Sequence, residues 1–145
     1  IYDENHFVTV VNYIFLLLTS GKHEQAMTML GKYDQLYGKN EYMLALKAML
    51  YALNGDKENA LNLFPEGHSY NYFIYAALQM NDKALDYLDK LLSSQWLNAE
   101  VSRYIELNTN PLLENLRSDP RFQETLAKHK EMYEENLKKY DDIDI

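Results

Sequence analysis

Two segments decide how this chain folds: Thr19-Ser20-Gly21-Lys22-His23-Glu24-Gln25-Ala26 with Met29-Leu30 beyond it, and Leu53-Asn54-Gly55-Asp56-Lys57-Glu58-Asn59-Ala60 with Leu63-Phe64 beyond it. The interval from Gly21 to Gly55 equals that from Ala26 to Ala60. Each glycine closes a helix, because a residue without Cβ adopts the left-handed conformation at little cost. Each alanine lies in the next helix, where a small side chain lets the paired helix approach closely. Four positions later a large hydrophobe, Leu30 or Phe64, fills the space beyond. The unit is therefore a pair of helices around a short glycine turn.

The register extends in both directions. Twelve positions before the key alanines stand Ile14 and Ala48, and nine before them Leu17 and Tyr51. A third unit is shorter: Asn81-Asp82-Lys83-Ala84-Leu85 resembles Lys57-Glu58-Asn59-Ala60-Leu61, but Ala84 follows Ala60 ten positions sooner than Ala60 follows Ala26. Pro65-Glu66-Gly67 stops the preceding helix, so the deficit is assigned to a second helix of unit two cut to roughly two turns. The turn of unit three reads as at least one residue short. Breaks are expected near Gly21, Gly38–Asn40, Gly55, Pro65–Gly67, Asn81 and Ser93–Gln95, with another between Leu107 and Pro120.

Composition agrees with helices. The 145 residues, 47% hydrophobic, suffice for one domain with a core. Five Gly and three Pro are few for a sheet protein. The chain has no cysteine, hence neither disulfides nor thiolate metal sites. A net charge of −8 opposes attraction to nucleic acid or anionic lipid. The most apolar run, Val8 to Leu18, is too short to span a membrane, and no basic region precedes it as in a signal peptide. The expected location is cytoplasmic, with export left open. The absence of an initial Met reads as excision from a longer chain.

The remaining segment reads Asn110-Pro111-Leu112-Leu113-Glu114-Asn115-Leu116-Arg117-Ser118-Asp119-Pro120-Arg121-Phe122. It resembles the DPxLxxLRxDPRF segment that closes the arrays of many bacterial tetratricopeptide-repeat proteins, with Asn110 in place of the first Asp. The interval shared by the glycines and the alanines matches the period of that family, about 34 residues. Ala48 and Tyr51 match its small and aromatic positions, whereas Ile14 and Lys47 depart from it. The resemblance covers roughly residues 7–130. It implies an all-α array of antiparallel helical pairs stacked as a short superhelix, in the C-terminal part of a regulatory protein. The units fall at about 7–40, 41–66 and 67–94, followed by a capping segment 95–140 and a frayed tail 141–145, all within one domain. Asp119 and Pro120 suit a helix start. Phe122, Leu126, Tyr133, Leu137 and Tyr140 then mark the apolar face of a long capping helix, and Lys128, Glu131, Glu134, Glu135 and Lys138 its solvated face.

No chemistry-bearing constellation emerges. His6, His23, His68 and His129 are scattered without ligand spacing, and nucleophile elbows and phosphate loops are missing. The reading is a non-catalytic chain without metal or cofactor. Arg117 and Arg121 are assigned to helix-end carbonyls and nearby acids. Among the 13 tyrosines, Tyr13, Tyr33, Tyr51, Tyr75 and Tyr87 are expected mostly in the core. Met27, Met29, Met43 and Met49 read first as core filler. The first helix of each pair lines a concave groove, whose candidates are Val11, Asn12, Phe15, Tyr42, Met49, Leu53, Tyr70 and Phe73, within a wider set that includes Val8, Leu18, Ala45, Leu46, Ile74 and Ala77. Relatives that clamp terminal carboxylates carry Lys and Asn where Val11, Phe15 and Ala45 stand, so an apolar peptide or helix is the expected partner. It could belong to the same protein. A structural or homodimerising role is the alternative.

Overall fold

The computed structural model describes residues 4–64, 67–93 and 100–140. Among these the chain is all-α without a strand: α1 (Glu4–Thr19), α2 (His23–Tyr37), α3 (Glu41–Leu53), α4 (Lys57–Leu63), α5 (Asn71–Ala77), α6 (Asn81–Ser93), α7 (Glu100–Thr109), a 3-10 helix (Pro111–Leu116) and α8 (Pro120–Tyr140). Tail residues 141–145, Pro65, Glu66 and the Gln95-Trp96-Leu97-Asn98 stretch lie outside the described residues. Sequential helices α1 and α2, α3 and α4, and α5 and α6 pack on each other across short turns, which makes them antiparallel pairs. Helix α3 also packs against both α1 and α5. No described helix is long and apolar enough to cross a membrane.

The helix starts are locally encoded. Asn40 accepts the Tyr42 amide at 2.9 Å, Asp56 that of Asn59 at 3.1 Å, and Asn110 that of Leu112 at 3.0 Å. Asp119 accepts the Arg121 amide at 2.8 Å, with Pro120 as first helical residue. Such caps satisfy amides that no helical carbonyl can reach.

The turns within the three pairs are built alike. Gly21 donates to Leu18 and Lys22 to Leu17; Gly55 donates to Ala52 and Asp56 to Tyr51; Gln79 donates to Ala76 and Met80 to Tyr75. Gly21, Gly55 and Gln79 all have positive φ, at 71°, 79° and 58°. The expectation of a shortened third turn is therefore corrected: each left-handed residue precedes its alanine (Ala26, Ala60, Ala84) by five positions. Gln79 hides the match because it is not a glycine. The missing ten positions lie only partly where expected: α4 is two turns long as read from the sequence, but it does not account for all of them. Helix α5 starts four positions sooner after the start of α4 than α3 does after that of α2, and α6 starts six positions sooner after α5 than α4 does after α3. The deficit is thus shared between α4 and α5, each only seven residues long.

A left-handed non-glycine is strained by roughly 1–2 kcal/mol. Gln79→Gly should accordingly stabilise the fold, by up to about 1 kcal/mol once the freer unfolded chain is counted. Gly55→Ala should cost about as much, from backbone strain alone, since its Cβ would meet nothing within 4 Å. Urea denaturation checks both, and a destabilised Gln79→Gly would count against the shared turn geometry.

The core is continuous from Phe7 through Met43, Leu46 and Met49 to Phe73, Leu88, Leu113 and Phe122. Ala26, Ala60 and Ala84 are all fully buried. The tyrosine expectation is corrected for Tyr13 and Tyr51, which are exposed; Tyr33, Tyr75 and Tyr87 are half-buried and pack against the core, while Tyr37 and Tyr72 enter it. Of the methionines, Met43 and Met49 are core, and Met27 is 58% exposed.

Candidate functional site

Helices α1, α3 and α5 present a common face on which aromatic rings form a strip. Phe15 of α1 stacks on Tyr70, just before α5, with centroids 4.9 Å apart and planes inclined by 24°. It also lies 5.4 Å from Phe73. Tyr42, at the start of α3, makes edge contacts with His68 at 4.6 Å, Tyr70 at 6.1 Å and Phe7 at 6.4 Å. Phe7 in turn meets the edge of Tyr37 at 4.9 Å. Helix α3 packs against both α1 and α5, and the Phe15–Tyr70 pair links those two flanks.

That bridge corrects part of the expected groove. Val11, Met49 and Phe73 are 5%, 0% and 0% exposed, so they are core residues and offer nothing to a partner in this conformation. Leu18, Ala45, Leu46 and Ile74 are buried as well. Solvent reaches Asn12 and Tyr42, and part of Phe15, Leu53 and Tyr70. Val8 is half exposed. Leu53 and Ala77 line a separate cleft of about 390 Å³ with Pro111, Leu112 and Asn115. What solvent reaches of the expected groove is thus a strip that includes Tyr42 and the half-buried Phe15 and Tyr70.

Acidic groups flank the strip. Glu106 accepts from the Tyr72 hydroxyl at 3.3 Å. Burial, Glu106 and Tyr42 together push the Tyr70 hydroxyl up to about 12, so it stays protonated at neutral pH. His68 is 7% exposed; its Nδ1 accepts the Tyr70 amide at 3.2 Å, and its Nε2 has no hydrogen-bond partner among the described residues. Burial lowers its pKa from the ordinary 6.5, partly opposed by the Glu41 carboxylate. The neutral ring therefore belongs to the folded state. Its stabilising contribution is complete above pH 6.5 and is lost as pH falls through the lowered folded value, because the unfolded chain takes up the proton first. Between about pH 7.5 and 5, His68→Asn should show a shallower loss of stability than the parent in denaturant titrations. Equal slopes would assign the acid sensitivity elsewhere.

The capping segment is tied down by the residues expected to do so. Arg117 donates to the carbonyls of Leu107 at 3.4 Å and Asn110 at 3.2 Å, and pairs with Glu114 at 2.7 Å. Arg121 bridges Asp86 at 2.6 Å and Asp89 at 3.1 Å, while Phe122 is fully buried. Sequence reading missed a reciprocal amide pair: Asn115 donates to Asn81 Oδ1 at 2.7 Å and to the Ala76 carbonyl at 3.0 Å, and Asn81 donates back to the Asn115 carbonyl at 3.4 Å. Glu106 was likewise not recognised as a neighbour of the aromatic face, because no local spacing links it to Tyr70 or Tyr72. No protein-family model, curated protein or solved structure matches the chain.

Proposed function

We propose that this chain is a non-catalytic, tetratricopeptide-like interaction module that binds a polypeptide segment across the aromatic strip. The observation that carries the reading is Tyr42: it is 39% exposed while its ring leans on His68 and Tyr70. A large, pre-ordered aromatic surface loses little entropy on binding and supplies the kind of anchor that dominates interfaces. Phe15 and Tyr70 extend it. The partner chemistry follows from the rim: with Glu41 and Glu106 nearby and a net charge of −8, an amphipathic or extended segment carrying Lys or Arg beside apolar anchors fits best. A cytoplasmic regulatory protein, with the segment in the same polypeptide or in another, is the proposed setting.

The test is fluorescence anisotropy with a panel of labelled basic-amphipathic and acidic-amphipathic helical peptides. Basic peptides should bind, and Tyr42→Ser should weaken them about tenfold or more, the value of a modest hot spot, with the circular dichroism spectrum retained. Undiminished binding by folded Tyr42→Ser, or preference for acidic peptides, would place the site elsewhere.

A further inference from the structure

Helix α1 carries a second face, rotated from the aromatic strip. In α3 the residues Met43, Leu46 and Leu50 are 0%, 0% and 8% exposed, and Lys47 is half-buried. Their counterparts one repeat earlier are Thr9, Asn12, Leu16 and Tyr13, and all four are exposed, Leu16 by 58% and Tyr13 by 47%. The spacing i, i+3, i+4, i+7 places the four on one side of a helix. In α3 that side docks on the preceding pair: Lys47 pairs with Asp34 of α2, and Leu50 shares a cleft with Leu30 and Gly31. Helix α1 therefore presents, uncovered, the face that α3 uses for stacking.

We propose that this face is a dimerisation surface, on which α1 packs antiparallel to α1 of a second copy about a twofold axis passing between Asn12 and Tyr13. Electrostatics tolerates a second copy of the chain at this face. The molecule carries a charge of −8 and repels itself, yet no Asp, Glu, Lys or Arg occurs from Phe7 to Gly21. The face is also self-complementary, as an isologous contact requires. With the axis between residues 12 and 13, Thr9 faces Leu16 of the other copy, while Asn12 and Tyr13 each stand beside their own counterpart. The two asparagine amides can then hydrogen-bond across the axis, and the helix dipoles oppose. A twofold contact is closed, so neither α1 face remains free for a third copy. One face of a 16-residue helix is about 24 Å long. At about 10 Å wide it buries on the order of 500 Å² over two copies, well below the ~1,200 Å² of stable complexes, so the dimer is weak and concentration-dependent.

Sedimentation equilibrium of the intact chain from about 10 μM to about 1 mM tests this. The average mass should rise from 17.1 kDa towards twice that value, and Leu16→Glu should remain monomeric with unchanged helicity. The chain has no cysteine, so a single introduced thiol is unambiguous. Under mild oxidation Asn12→Cys should give a disulfide-linked dimer, and Lys128→Cys on α8 should not. A monomer throughout the concentration range overturns the proposal. So does folded Leu16→Glu that dimerises like the parent, or equal cross-linking at positions 12 and 128.

Discussion

Phe122→Ala is expected to lower the unfolding free energy by about 3–5 kcal/mol, the usual range for emptying a buried aromatic site. Phe122 is fully inaccessible and belongs to the same core as Leu107, Leu113 and Leu116. It also occupies the first turn of α8, whose start is held by the Asp119 cap, so the ring joins a locally encoded helix to the rest of the protein. Arg117 donates to the carbonyls of Leu107 and Asn110 beside this site, which restrains relaxation of α7 and the 3-10 helix into the void. Against a typical total of about 5–15 kcal/mol, the variant would sit near the edge of folding. Arg121 is the informative comparison. Its ion pairs with Asp86 and Asp89 are exposed to water, where such pairs contribute little, so Arg121→Ala should shift the denaturation midpoint far less. Chemical denaturation followed by circular dichroism gives both values. If the two variants were equally destabilised, the closing motif would be held by charge rather than by packing.

The second large effect is expected at Ala26, Ala60 and Ala84. All three are fully buried five positions beyond a left-handed turn residue, the place expected for the closest approach of paired helices. Leu at any of them must push the helices apart or adopt a strained rotamer, at a cost of about 1–3 kcal/mol. Gln25, exposed and adjacent to Ala26, is the control, and Gln25→Leu should change stability by no more than about 0.5 kcal/mol. It is a cleaner control than Asn59, whose amide donates to Asp56 at 2.7 Å. Similar losses at Gln25 and the alanines would mean that the alanines do not mark the closest approach.

The helical breaks were legible because their causes are local. A glycine after an apolar run, an Asn or Asp two or three positions before an orphan amide, and a proline at a helix start each act within one turn of chain. The long capping helix was readable for the same reason. Its apolar stripe begins at the buried Phe122, passes through half-buried Leu126 and Tyr133, and fades at Leu137, which is 44% exposed. Gln79 shows where local reading stops. Its left-handed backbone is imposed by the packing of α5 on α6, and side-chain identity alone gives no sign of it.

The candidate face divides in the same way. That Phe15, Tyr42, Tyr70 and Phe73 belong to the inner helices followed from the spacing of Gly21, Gly55 and the alanines. Which of them meet solvent did not. Phe15 and Tyr70 lie in different repeat units, with all of α2, α3 and α4 between them in the chain. Only the packing of α3 against both α1 and α5 brings them near enough to stack. By itself, the sequence determined where helices begin and end and which small residues let them pair, because those choices depend on a few adjacent dihedrals. The tertiary structure decided which apolar residues become core and which become surface, because burial depends on how far the neighbouring helices close.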